Sequence, residues 1–381
     1  MLSRRDGFTL LELLLVVTVL SAVAWMSLGV VGNNADQVRF EDTRNRLQAI
    51  RRAIIGDTSR TINGQPEVRG YVADMGRLPN SLQELVAREY CEGYPEYATE
   101  ADCKKDGKTW NKTAQPVAYT QDDEDTGIWA GWHGPYLSAG ATLSTDGPKF
   151  LDGWGNDGDG RRDDFGWNYF QESDGDVLVQ SYGRDGTTTG TEMYDAEYPA
   201  STQPLIVSSE YRKEIGTVTV VMDFSSAAQC FACSDGTHST EATCTGTWSA
   251  HTDVTSNADC TGTGDVWQPS ENVCMAVAYH KDGIFYRGNT EALTPHIAGP
   301  QTVTWNGAKN TVTFNFGTDD YLYLGQFAYA IVKASADVDD PCPITQFTAT
   351  HSFPSETKLW TPFTYVPGTT LQPFERKINS Y

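Results

Sequence analysis

The sequence predicts an α+β protein with a long N-terminal helix, a mixed α/β head and an all-β, sandwich-like C-terminal region. Three observations predict this. Residues 8–31 are apolar apart from Glu12 and Gly29, with a few small polar residues. An amphipathic, proline-free stretch continues the helix to about Ile55. Beyond about residue 205 short alternating segments rich in Val, Thr, Tyr and Phe are separated by turn dipeptides, the pattern of paired strands.

The run 8–31 is long enough to cross a bilayer as a helix, which needs roughly 20 residues. It carries one carboxylate, Glu12, and a charge inside a membrane helix costs about 2.5–3.5 kcal/mol on insertion scales. The natural partner is an amine, and cleavage after Gly7 would create one at Phe8. A secretory signal peptide fits poorly, because its apolar core is about 7–15 residues and a small-residue site follows it. An ordinary signal anchor explains the length and the flanking Arg4 and Arg5, but not Glu12.

Gly7, Phe8 and Glu12 resemble, residue for residue, the hallmark of the type IV pilin and type II secretion pseudopilin superfamily. That hallmark is a short basic leader ending in Gly, cut before a Phe that is N-methylated, with Glu at the fifth mature position. The resemblance implies a leader of residues 1–7 removed by a prepilin peptidase, and a stem of residues 8–56 whose part 8–31 spans the inner membrane before assembly. It also implies polymerisation, in which the cationic Phe8 amine pairs with Glu12 of a neighbouring subunit.

In the second half of the stem Val38, Leu47, Ile50 and Ile54 are expected to form the buried face, with Arg39, Glu41, Asp42, Arg44, Arg46, Arg51 and Arg52 mostly elsewhere. A helix from Phe8 to Ile55 would be roughly 70 Å long. Gly29 and Gly32 weaken it by about 1 kcal/mol each relative to Ala, or else permit close helix packing.

Residues 57–204 form the expected head. Leu78-Pro79-Asn80 through Leu85 signals a short helix with Asn80 as its cap. Gly134-Pro135-Tyr136-Leu137, Asp152-Gly153-Trp154-Gly155-Asn156 and Ser181-Tyr182-Gly183-Arg184-Asp185-Gly186 resemble three successive segments of the major pseudopilin, which implies a small antiparallel sheet here. The chain departs from that pattern at Gly153, where the family has Pro, and by insertions at 86–130 and 157–166.

Residues 205–381 are expected to form a β-rich accessory domain. Thr217–Met222 reads as a strand. His280-Lys281-Asp282-Gly283 and Asn306-Gly307 read as hairpin turns, and residues 321–332 as one or two buried strands. No resemblance to pilins extends here. Three segments share a pattern of Ala, one residue, Cys, then Gly and Trp, around Cys103, Cys244 and Cys260, as a small disulfide loop used more than once would.

The chain has 381 residues and a net charge of -22, which argues against nucleic-acid binding through a basic surface. All eight cysteines lie beyond residue 90 and outside the cytoplasm if Arg4 and Arg5 hold the N-terminus inside, where disulfides are favoured over thiols. Cys91 with Cys103 is the expected pair, being isolated from the other six. Cys230 and Cys233 form a C-x-x-C, but a zinc ribbon wants a second such pair and a redox pair wants a βαβ setting.

Two calcium readings follow from the acidic stretch 152–195. The resemblance to the major pseudopilin implies ligands from the Tyr182 carbonyl, Asp185 and Glu192, with Asp195 nearby; calcium accepts such mixed oxygen sets. Asp157, Asp159 and Asp163 form a degenerate second turn lacking its first ligand. No G-x-S-x-G, H-E-x-x-H or P-loop occurs, so no enzymatic activity is expected. The expectation is a filament subunit, with the precursor in the inner membrane and the assembled form periplasmic or extracellular. Either the extra β-domain binds a surface or ligand, as in an adhesive pilin, or it meets exported substrates or a secretion channel. A membrane-anchored binding protein that does not polymerise is the distant alternative.

Overall fold

The computed structural model describes residues 10–57, 60–62, 65–66, 68–87, 89–91, 100–112, 119–121, 126–138, 150–156, 163–164, 166–224, 230–237, 244–251, 260, 266–267, 270–282, 284–286, 295–304, 309–317, 320–347, 358–369, 371 and 373–377. Helix α1 (Leu10–Ile55) is continuous, running through Gly29 and Gly32 without a break, and at 1.5 Å per residue it is about 70 Å long. Its second half buries Thr43, Leu47, Ile50 and Ile54 as one stripe. Val38, expected on that stripe, is exposed. At about 100° per residue the positions between 38 and 47 place Val38 half a turn away. Thr43 takes its place, its hydroxyl accepting from the Gly153 amide at 3.0 Å.

The head core packs α1 against α2 (Tyr71–Met75), Leu82 and Leu85, and one face of a sheet formed by strands Trp167–Gln171 and Val177–Ser181. The expected helix at 78–85 is a shorter 3₁₀ turn, Leu82–Leu85. Asn80 does not cap it by accepting; instead its amide N and Nδ2 both donate to the Glu84 carboxylate, each at 3.2 Å. Helix α2 is too short to show a period of its own in the sequence.

Two sheets enclose a second core. One has five strands, with Ser270–Lys281 and Gly325–Lys333 at its centre; the other is Lys309–Asn315, Thr217–Asp223 and Phe374–Lys377. Val273, Met275 and Val277 face the core shared with the smaller sheet, where Val218, Val220, Phe314, Phe327 and Tyr329 meet them. The alternate residues Cys274, Ala276 and Ala278 face the other way, onto Ile128, Phe347 and Trp360. Period-2 alternation thus gives the central strands two buried faces, one bulky and one small. Lys281 pairs with Ile284, as the first expected hairpin requires, and Asp282 between them has a φ of 56; residue 283 lies outside the described residues. The second differs. Strand His296–Thr304 pairs with 270–281 and Lys309–Asn315 with 217–223, so the two described strands that flank Asn306-Gly307 belong to different sheets. Residues 305–308 lie outside the described residues.

The cysteine pattern marks a repeated unit. Cys233 lies opposite Trp248 and is bonded to Cys244; Cys230 lies opposite Trp267 and is bonded to Cys260. Cys91 lies opposite Trp110 in the same register, and Cys103 between them is disulfide-bonded; the Cys91 side chain is outside the described residues. Cys230 and Cys233 are an odd number of positions apart on one strand, hence on opposite faces, and each serves a different loop. Cys274 is bonded to Cys342.

Head packing runs past residue 204, where the sequence divides head from β-region. Ile206 bridges to Val177, and Tyr211 and Leu324 are buried in the head core. α2 lies against the larger sheet, where Gly76 is pressed onto the His280 carbonyl so closely that an added Cβ would collide. Arg77, 14% exposed, pairs with Glu84 at 2.9 Å and with Asp282 of the hairpin. Tyr71 donates to the same Glu84.

Two buried groups at this junction titrate in opposite senses. Burial pushes the Asp74 carboxyl up to about 7, against the Tyr136 hydroxyl bond and Arg69. Its stabilising contribution is present below the unfolded pKa, about 3.9, and is lost as pH rises through 7. Burial pushes His280 down to about 4. Its contribution is present above about 6.5 and is lost as pH falls through 4. Thermal melts between pH 4.5 and 7 should therefore diverge. Relative to the unsubstituted chain, Asp74→Asn should lose stability on acidification and His280→Gln should gain it.

Candidate functional site

Two regions of the head and stem carry the functional expectations. Along α1, the large apolar residues from Leu10 to Trp25 are exposed on every side of the helix, from 49% at Val16 to 84% at Leu10. Glu12 is the one charge among them. A helix apolar all round belongs in a membrane or in the core of a helical assembly. Residues 10–25 span about 24 Å, short of the roughly 30 Å of a bilayer core. Among the described residues no helix is long and apolar enough to cross a membrane; α1 continues through 26–34, whose side chains are outside the described residues. So are Gly7 and Phe8 entirely.

The second region joins two of the sequence segments singled out above. Asp152, 2% exposed, accepts from Trp154 N (3.0 Å), Asn156 N (2.9 Å), Asn156 Nδ2 (2.6 Å) and Ser181 Oγ (2.5 Å). Asn156 Nδ2 also donates to the Gly183 carbonyl at 2.8 Å. The 152–156 turn is thereby fastened to the end of the 177–181 strand. Gly153 lies so close to the Arg39 carbonyl of α1 that a Cβ would collide, and its N–H is used by Thr43. A proline here would have neither the space nor the donor. Tyr136 of the 134–137 segment donates to Asp74 at 2.8 Å, and its amide and that of Leu137 both donate to the Leu85 carbonyl.

The residues expected to hold calcium are near one another but differently engaged. Tyr182 is buried. Asp185 accepts from Thr187 N and Thr187 Oγ1, each at 2.9 Å. Glu192 and Asp195 both turn to Arg184, as does Asp36 of α1. Asp163 lies in a short strand, Asp163–Asp164, paired with Trp167 and Asn168; Asp157 and Asp159 are outside the described residues. The grouping of possible metal ligands found among the described residues is Cys233, Asp235 and Cys244, but these two cysteines are bonded to each other. Asp235 accepts from Thr237 and Thr245. Arg184 lies within the 181–186 segment but is not among the residues expected to act there, Asp36 lies in no motif, and only the run of acids around a lone arginine hints at their pairing.

Removing the Asp152 carboxylate should uncouple the turn from the strand. Asp152→Ala should destabilise the protein by about 2–4 kcal/mol, the range for deleting a buried charge that accepts several bonds, measured by denaturant unfolding of the oxidised chain.

Comparison with known proteins gives one match: residues 2–28 fit the prokaryotic N-terminal methylation motif. No curated protein matches the chain, and no solved structure does. The motif marks structural precursors, not enzymes, and it implies processing by a prepilin peptidase and assembly with other pilin subunits. The match covers the N-terminal segment alone, and it is there that the chain is similar to type IV pilin-like and pseudopilin precursors.

Proposed function

We propose that this protein is a structural subunit of a type IV pilus-like or type II secretion filament. Cut after Gly7, it would polymerise through α1 and carry its head and β-region outward. The observation that supports this is the join between the methylation motif and α1. One unbroken helix is apolar on every side over residues 10–25 and is clamped to the head over residues 36–55. The first part serves as membrane span, residues 8–31, before assembly and as filament core after it. Glu12 then meets the Phe8 amine of a neighbouring subunit.

The secretion reading draws on the head. The Asp152–Asn156–Ser181 network fastens together two of the three segments that resemble the major pseudopilin. In this division residues 57–204 are the head and 205–381 the accessory region, which would meet exported substrates or a secretion channel. In the pilus reading the same region meets a surface or ligand. Its firm attachment through α2 and Leu324 suits a subunit that presents the two as one body.

Mass spectrometry of assembled material should find N-methylated Phe8 as the first residue. An intact Met1–Gly7 leader there would end the proposal. Glu12→Ala should enter the membrane normally but give few or out-of-register filaments, compared as membrane pool against sheared filament. The carboxylate's loss strands the neighbour's buried amine, a penalty of about 3–5 kcal/mol when one partner of a buried pair is removed. Normal filament yield would refute the pairing.

A further inference from the structure

The loop 183–196 closes around a guanidinium. Arg184 donates from Nε to Asp195 Oδ1 at 2.7 Å and from Nη2 to Asp195 Oδ2 at 2.8 Å, a two-pronged fork. Nη2 also reaches Glu192 Oε2 at 3.2 Å, and Nη1 reaches Asp36 Oδ2 of α1 at 3.0 Å. The backbone makes the same closure: Arg184 N donates to the Tyr194 carbonyl at 2.7 Å, and Asp195 N and Ala196 N to the Glu192 carbonyl. Gly183 and Gly190 both lie against the Asp195 carbonyl, where a Cβ on either would collide. The ring of Tyr194 rests on Phe40 of α1 and on Trp154.

We propose that Arg184 is the built-in cation of this loop, closing it and pinning it to the stem at Asp36, so that the folded head needs no divalent ion there. Three carboxylates from two distant segments converge on one positive charge. A calcium ion needs six to eight oxygens, yet Glu192 and Asp195 already face the guanidinium and Asp185 faces Thr187. Take the guanidinium away and three like charges face one another, which disfavours the closed loop. A divalent cation that binds only the closed form would then restore it by mass action. The proposal stands apart from the filament reading, since it concerns the folded subunit alone.

The test is hydrogen exchange of the 184–196 amides in the full-length chain in detergent, with calcium chloride or with chelator. The unsubstituted protein should show the same protection in both. Arg184→Gln should exchange about tenfold faster in chelator, the scale of a lost charged hydrogen bond, and calcium should return most of the protection. Arg184→Lys, which keeps the charge and loses the fork, should fall between them in chelator. Three results would overturn the proposal. The first is protection in the unsubstituted protein that drops in chelator, which would favour the Tyr182, Asp185, Glu192 and Asp195 calcium set. The second is Arg184→Gln matching the unsubstituted protein in chelator. The third is a loss that neither calcium nor Arg184→Lys restores, which would make the side chain's packing, and not its charge, the cause.

Discussion

A helix that is apolar on every side for several turns cannot be satisfied by one globular head, and this constraint organises the rest of the molecule. Helix α1 changes character along its length. Over residues 10–25 every face is exposed and nearly every residue is apolar; from Thr43 onward a single stripe is buried. The first part demands cover from outside the subunit, whether lipid or neighbouring helices. The second part receives its cover from the head, and the contacts there are unusually specific for a helix on a surface. Thr43 holds Gly153, Arg46 reaches the Leu151 carbonyl at 2.8 Å, Arg51 pairs with Glu210, and Phe40 packs edge-on to Tyr194 and Tyr198. The head is built as a clamp on one stretch of helix, which leaves the other stretch free to be embedded.

What was legible in the sequence follows from the range of each signal. Local periodicity and turn chemistry gave α1, the 217–223 strand, the Asp282 hairpin and the strands at 321–333. The Asn306-Gly307 dipeptide announced a turn, but a dipeptide cannot say whether the flanking strands bond to each other or to strands elsewhere; here each has a better-matched partner in a different sheet. The Val38 assignment failed on arithmetic of the helical wheel. Asn80 was expected to accept as a cap, but Glu84, buried at 3% exposure, needs donors more than the helix start needs an acceptor. The disulfide loops were visible as a repeat of Cys and Trp, and the register of Cys against Trp explains why both residue types recur.

The junction between head and β-region had no sequence signal at all. Pro199 and Pro204 fall at the division, yet the chain on either side of them is bridged to the 177–181 strand, by Tyr198 to Ser181 and by Ile206 to Val177. The close approach of α2 to the larger sheet depends on Gly76 and on Gly325, whose φ of 154 few other residues adopt. Neither glycine stands in a recognisable motif, because each matters only in relation to a segment some 200 or more residues away.

Charge scarcity explains which residues make those long-range joins. With 28 basic against 50 acidic side chains, most carboxylates must be met by solvent or by hydrogen-bond donors, as Asp152 and Asp185 are. The cations at junctions are arginines. Arg46 ties α1 to the 150–151 segment, Arg51 to the 208–210 turn and Arg184 ties the head loop back to α1, while Arg77 ties the head to the hairpin at 282. A lysine presents one point charge, whereas a guanidinium presents donors in several directions from a rigid plane. Arg77 and Arg184 use this directly, each bonding carboxylates from segments that are far apart in sequence. Whereas Arg77 and Glu84 are largely buried, pairs at the surface, such as those of Arg184, contribute little singly. Their weight here lies in where they are placed, since each fixes the relative position of two elements that the hydrophobic cores alone leave free to slide.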